Sequence, residues 1–469
     1  MWDLAGGVWM RIDFWRRNRP LLLILATALL VRLLLLVHVW ASSAAIERDS
    51  RSYLVPAASL ARGLRFRSLG LPELFRTPGY PVFLVLCWTT GPFSFGLAQI
   101  VQVLLGVATV YLTYKLTEHV VGPAAGLWAA GLQALSVVSI AASVYILTDC
   151  LYSLMSTAVI YLLVKHVREE HTPRYVVSAA LLAAAGTYVR PVGLILVPIV
   201  IMILLFRPRR LLNVGVFALV FALSVAPWYV RNYLETGYRG FSTVSDFNWL
   251  FYEASGVWAK TQGISIVEAQ NELNVRYRRE IAARNLTSSL ETTARGPFAV
   301  AGERNPQAIA LEREMANGII RAHLPTFVRV HVITSLGSLL PSSNALLELL
   351  GVTSGSTGTL SILQSQGPVA AWNRYFGANR GAMLLVIPEI ILIAIQYTGL
   401  LVFAVFGLGA QTKRWSAGIV LIALTVIAFV FVAGPAATAR MRLPVEPLMN
   451  LLAGGGVVWL LNRNKKGMP

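Results

Sequence analysis

Only 13% of the residues are charged, and two carboxylates two positions apart stand out in the polar stretch Glu47-Arg48-Asp49-Ser50-Arg51-Ser52-Tyr53. A carboxylate flanked by Arg48 and Arg51 stays ionised, as it must to take a proton from a hydroxyl group or to hold a divalent cation. The same pattern suits a solvated loop with local ion pairs. Asp149 follows Thr148 at the head of an apolar run, where an acid also caps a helix N-terminus. Arg76 opens the segment Arg76-Thr77-Pro78-Gly79-Tyr80-Pro81. Its prolines and glycine impose a turn, and a guanidinium held there can fork onto a phosphate or lie along the surface as an anchor.

The elements that must position these groups are membrane helices. The chain has 469 residues, 56% of them hydrophobic, and a mean hydropathy of +0.63, far more apolar surface than a soluble core requires. The apolar residues gather in runs of about 20, the length that crosses a hydrocarbon layer as a helix. Spans are expected near 20–40, 97–118, 124–142, 148–167, 174–189, 191–206, 210–228, 381–407, 415–434 and 444–461. The fold class is therefore an all-α polytopic membrane protein, a bundle of about ten transmembrane helices, or twelve if 324–380 holds another pair. Residues 1–228 form an N-terminal module with a first outer loop over 41–96, in which the apolar stretch Val82 to Trp88 is a surface helix. Residues 229–350 form an outer-face domain ending in an interfacial segment, with helices expected over Ile266 to Arg284 and Ala308 to Ala322. Residues 351–469 carry the C-terminal helices.

Charge sets the orientation. With ten spans, Lys115, Lys165, Lys413, Lys465 and Lys466 fall on the same side as the Arg207-Pro208-Arg209-Arg210 turn, the cytoplasmic side by the positive-inside rule. Asp49, Asp149, Arg190, the 229–323 interval and Arg440 to Arg442 then share the outer face. A net charge of +18 in such a protein implies anionic headgroups and ligands rather than nucleic acid. Arg16-Arg17 precede an apolar run too long for a cleaved signal and read as the flank of a retained anchor. Cys87 and Cys150 lie in apolar contexts and indicate neither a disulfide framework nor a thiolate metal site.

The motifs in order resemble the integral-membrane C-type glycosyltransferases of the dolichyl-phosphate-mannose:protein mannosyltransferase and aminoarabinose transferase group. They are the acidic first loop, Tyr53 and Ala57-Ala58 leading to Gly63, then R-T-P-G-Y-P, Thr148-Asp149 and Val189-Arg190-Pro191. Pro227-Trp228-Tyr229-Val230-Arg231-Asn232 and Arg440-Met441-Arg442-Leu443-Pro444-Val445-Glu446-Pro447 complete the set. The resemblance covers 1–235 and 440–469 and leaves the outer domain unassigned. The aminoarabinose transferases carry a lysine where this chain has Arg76, which leaves the donor sugar open.

The resemblance implies inverting transfer of a sugar from a polyprenyl-phosphate donor to an acceptor hydroxyl on the outer face of the plasma membrane. It makes Asp49 the base, Asp149 a group that orients the acceptor, and Glu47 a supporting acid. Arg76, Arg190, Arg231, Arg440 and Arg442 are the pool that meets the leaving phosphate, where arginine's permanent forked charge is suited to the task. Tyr53, Tyr80 and Trp228 are candidates for a substrate groove, although an aromatic at a span end also anchors a helix at the interface. The histidines do not cluster, so any metal would be a hard divalent cation, Mg, Mn or Ca, held by Asp49 and Asp149; metal-free chemistry is equally consistent. The partners are the lipid-linked donor, membrane lipids and a glycan, lipid or protein acceptor. A transporter or flippase of lipid-linked saccharides, and a ligase or polymerase of lipid-linked glycans, are the competing functions.

Overall fold

The first helix, α1 (Asp3–Val39), runs through Pro20 and ends just before the acidic stretch. The computed structural model describes residues 3–40, 43–47, 49–88, 95–168, 173–293, 296–352, 366–376, 382–407 and 416–465; Arg48, His171, Lys413 and Lys466 lie outside them. The first loop contains α2 (Ser50–Ala61), a two-stranded hairpin of β1 (Arg67–Ser68) and β2 (Leu71–Pro72), and α3 (Gly79–Leu86). The apolar surface helix thus starts three residues before Val82, at the glycine of the R-T-P-G-Y-P turn. A Cβ at Gly79 would lie 2.6 Å from the backbone of Tyr188 and Val189. Only glycine lets the first loop dock directly beside Arg190.

The bundle continues with α4 (Gly96–Val120), α5 (Pro123–Leu135), α6 (Val137–Ala142), α7 (Asp149–Arg168), α8 (Pro173–Val189), α9 (Leu196–Leu205) and α10 (Arg210–Thr236). Among the described residues five helical segments are long and apolar enough to cross a membrane: Asn18–Val39, Gly96–Val120, Asp149–Val167, Arg210–Thr236 and Val386–Phe406. Pro191–Leu205 and Ala417–Phe431 are shorter apolar helices. The other three expected spans coincide with α5 and α6, α8, and the C-terminal helix, which do not reach that length and hydropathy. The span expected over 124–142 is broken at Ser136, whose side chain caps α6 by accepting from the Ser139 N–H.

Helix α10 passes position 228 without interruption and carries the chain out of the bundle to Thr236. The following interval folds as α11 (Val244–Asn248), a π-helical turn (Trp249–Ala254), α12 (Ser255–Gln262), α13 (Ile266–Ala283), a hairpin of β3 (Glu291–Thr293) and β4 (Gly296–Ala301), and α14 (Pro306–Ala322). Local chemistry sets these boundaries. Ser265 and Glu268 form a capping box on α13, and Asn305 caps α14 with Pro306 in its first turn. Apolar faces of these helices enclose a separate core that includes Phe247, Leu250, Phe251, Leu273, Tyr277, Leu311 and Ile320. Phe75 of the first loop belongs to the same core.

The chain returns through α15 (Leu324–Ser335), α16 (Ser343–Leu349) and α17 (Pro368–Phe376) to α18 (Ala382–Val402), α19 (Ser416–Phe431) and α20 (Glu446–Lys465). A short 3₁₀ turn, Ala439–Arg442, precedes α20. The two small hairpins are the only β-structure among the described residues.

Candidate active site

Six of the predicted side chains meet at one end of the bundle, delivered by five separate segments. Asp49 stands immediately before α2, but its carboxylate does not cap that helix. It faces two arginines instead. Arg440 donates through Nη2 to Asp49 Oδ2 at 2.8 Å and through Nη1 to Glu47 Oε2 at 3.0 Å. Its Nε lies 3.7 Å from Asp149 Oδ2. Arg76 reaches the other oxygen of Asp49 at 3.4 Å. Asp149, buried in the first turn of α7, is paired with Arg190 from the end of α8. Arg190 also contacts Met441 Sδ at 3.0 Å. Three carboxylates and three guanidiniums therefore form one charge-balanced cluster.

Arg76 is held more precisely than an interfacial anchor requires. Its Nε donates to Ser52 Oγ at 2.7 Å and its Nη1 to Tyr53 OH at 3.1 Å. The guanidinium carbon lies 4.4 Å from the centre of the Tyr53 ring and 4.6 Å from that of Phe75, within the range of a cation–π contact. Tyr53 in turn meets Tyr80 edge to face at 5.4 Å.

The two acids of the first loop are pulled apart in acidity. Burial pushes the Asp49 carboxyl up, but Arg440 and Arg76 outweigh it and hold the group at about 2. At Glu47 burial prevails over Arg440, helped by the neighbouring Asp49 and Asp149 charges, and the pKa is raised. Groups this close titrate as a set, and of the two first-loop acids Glu47 is the more readily protonated.

Two of the arginines expected at the phosphate stand elsewhere. Arg231 donates to the carbonyls of Glu73 at 2.6 Å and Phe66 at 2.9 Å and stacks over Trp228. Arg442 is buried and donates to the carbonyls of Ser338 at 3.1 Å and Leu340 at 2.6 Å, with Glu446 at 3.6 Å. Tyr80 is fully buried and donates to Gln102 Oε1. Trp228 is buried and donates to the Phe241 carbonyl. Of the three aromatics, Tyr53 alone touches the cluster. Sequence reasoning passed over Ser52, although it lies inside the acidic stretch. It also passed over Glu73, an acid three positions before Arg76.

A divalent cation fits this donor set poorly. Both Asp49 and Asp149 turn their oxygens to arginines, and Arg440 lies between them. Among the described residues no group of three or more His, Cys, Asp or Glu side chains is placed to hold a metal ion.

Residues 76–230 match the family described as Dolichyl-phosphate-mannose-protein mannosyltransferase. That segment holds Arg76, Asp149 and Arg190 but not Glu47, Asp49 or Arg440. No curated protein matches the sequence. Among solved structures, the chain is similar to the Archaeoglobus fulgidus oligosaccharyltransferase tethered to an acceptor peptide. The TM-score is 0.52 at 14% identity, over 96% of this chain and 50% of that one. The fold is that of a C-type glycosyltransferase. AglB from the same organism, in complex with an inhibitory peptide and a dolichol-phosphate, gives 0.50 at 14% identity, covering 97% of this chain and 53% of AglB. The chain thus spans about half the length of these relatives. ArnT from Cupriavidus metallidurans bound to undecaprenyl phosphate gives 0.42 at 12% identity, over 96% of this chain and 79% of ArnT. The resemblance carried by the short motifs agrees with the family match and with the C-type fold.

Proposed function

We propose that the protein transfers a sugar, with inversion, from a polyprenyl-phosphate donor to an acceptor hydroxyl at the outer face of the plasma membrane. The observation that carries this reading is the bridging of Asp49, Glu47 and Asp149 by Arg440, with Arg76 on the far oxygen of Asp49. A base and the cations for a leaving phosphate thereby share one cluster. The dolichol-phosphate in the AglB complex is in keeping with a polyprenyl-phosphate carrier.

In the resting cluster Asp49 is a weak base, held at about 2 by the arginines. A donor phosphate arriving at the cluster competes for Arg76 and Arg440. As they turn to it, the carboxylate loses the charges that depress it and becomes basic enough to accept a proton. The acceptor hydroxyl then gives its proton to Asp49 and its oxygen forms a bond to the anomeric carbon. The bond from that carbon to the phosphate oxygen breaks, and its electron pair leaves with the phosphate. Charge growing on the phosphate is stabilised by the arginines more than in the ground state. Asp149, fixed by Arg190, orients the acceptor.

The test is Asp49→Asn, assayed with a radiolabelled polyprenyl-phosphate sugar in proteoliposomes of defined orientation. Loss of a general base lowers transfer by about 10²–10⁴-fold, with donor binding retained. Transfer at the unmodified rate would remove Asp49 from the chemistry, and donor crossing the bilayer without transfer would favour a flippase.

A further inference from the structure

The domain over 229–323 has its own core, yet it makes polar contacts along the first loop from Arg65 to Phe75, the segment that leads into Arg76. Glu73 is 1% exposed. One of its carboxylate oxygens accepts from the backbone N–H groups of Phe75 at 2.6 Å and Arg76 at 2.9 Å, closing a turn that fixes the backbone carrying the Arg76 side chain. The other oxygen lies 3.8 Å from Arg304 Nη2. Arg304, 7% exposed, stands between β4 and α14. It donates through Nε to the Pro72 carbonyl at 3.0 Å and through Nη2 to the Ser68 carbonyl at 3.2 Å.

The rest of the segment is gripped from the same side. The Leu74 carbonyl accepts from the Thr243 N–H at 3.0 Å. The Phe75 carbonyl accepts from Ser242 Oγ at 2.6 Å. The Phe75 ring meets Phe247 edge to face at 5.6 Å and lies so close to Gly302 that a Cβ there would be 2.4 Å from it. Packing alone does not call for two buried ionisable side chains, which are costly to bury unless paired. Their donors and acceptors are spent on the backbone of 68–76, immediately before the guanidinium that contacts Asp49.

We propose that Glu73 and Arg304 are positioning residues that hold Arg76 in place for the donor phosphate, so that the 229–323 domain serves phosphate recognition by clamping the first loop. This rests on the proposed reaction, in which Arg76 meets that phosphate. Arg76 can then approach the phosphate without losing its aim, because its backbone is fixed by groups that do not touch the ligand.

The experiment measures binding of a polyprenyl phosphate, and of the matching polyprenol without phosphate, to the full chain in nanodiscs. Glu73→Gln and Arg304→Met are expected to raise the Kd for the phosphate by about tenfold, the worth of one charge-assisted hydrogen bond, and to leave polyprenol binding unchanged. In an Arg76→Ala background neither substitution should weaken binding further, because both act through Arg76. Ser242→Ala, which removes one hydroxyl from the Phe75 carbonyl, should shift binding in the same direction by a smaller factor; it decides the matter if the charge variants do not fold. Equal loss with polyprenol, full additivity with Arg76→Ala, or unchanged phosphate binding overturns the clamp. If Arg76→Ala binds the phosphate weakly while the clamp variants bind normally, the clamp alone fails. If Arg76→Ala binds normally, the phosphate role of Arg76 fails with it.

Discussion

Arg440→Met should expose how the charge cluster is balanced. The substitution removes charged hydrogen bonds to Glu47 at 3.0 Å and Asp49 at 2.8 Å and leaves Asp149 with Arg190 as its one guanidinium in the cluster. A charged hydrogen bond contributes about 1.5–3 kcal/mol. The Glu47 and Asp49 side chains are 34% and 38% exposed, and screening at that exposure brings each closer to about 1 kcal/mol. With three carboxylates left against two arginines, the net loss is about 2–4 kcal/mol. Its pH dependence has a definite sign. In the intact protein Asp49 is depressed from 3.8 to about 2, so its stabilisation is present above the unfolded value and is lost as pH falls toward 2. In the variant the dominant group is Glu47, already raised by burial and now without its cation. Its folded pKa lies above the unfolded one, so its charge destabilises the fold at pH 8 and is relieved as pH falls toward the ordinary value of 4.5. The thermal midpoint of the purified variant should therefore lie closer to that of the wild type at pH 5 than at pH 8, without reaching it, because the bond to Asp49 stays lost. Adding Glu47→Gln restores two carboxylates against two arginines and should recover most of the loss at pH 8. If Glu47→Gln deepens the destabilisation instead, the cluster is not balanced in this way.

Two further outcomes follow, one from another buried carboxylate and one from the donor set. Glu312 on α14 is 1% exposed and neither carboxyl oxygen has a hydrogen-bond partner; burial pushes its pKa well up. The folded state therefore favours the neutral acid, and stability erodes as pH rises above about 4.5. Glu312→Met should stabilise the protein at neutral pH by about 1–3 kcal/mol and flatten the pH dependence of its melting, and a lower midpoint at pH 8 would contradict the account. Because Arg440 lies between the carboxylates that a divalent cation would need, we propose that transfer persists after exhaustive dialysis against a chelator. Activity lost on dialysis and restored by Mg, Mn or Ca would show that the arginines give way to a metal.

What the sequence made legible is what the bilayer makes scarce. Charges in a strongly apolar chain are costly at membrane depth, so Asp49, Arg76, Asp149, Arg190 and Arg440 stood out as candidates, and their side chains do meet. Helix positions were legible for the same reason, since apolar runs leave few alternatives to a helix in lipid. The hairpin over 67–72 was not, because two-residue strands carry no periodicity. Glu73 was not, because nothing local shows that its oxygens will meet the N–H groups of Phe75 and Arg76 rather than solvent.

Arg231 and Arg442 show where residue type stops being informative. Both sit in the motifs that carried the resemblance, yet both satisfy backbone carbonyls: Arg231 those of the hairpin region, Arg442 those of the turn after α15. Buried carbonyls left over where helices break need donors as urgently as a phosphate needs cations, and a guanidinium answers either demand. The R-x-R element resolves the two by geometry. It lies in a 3₁₀ turn, where each residue advances about 120° around the axis, so side chains two apart point in different directions. Arg440 is thereby turned to the carboxylates, while Arg442 is turned to Ser338 and Leu340 and braces the turn from behind. One residue presents charge to the carboxylates because its near neighbour holds the backbone that aims it.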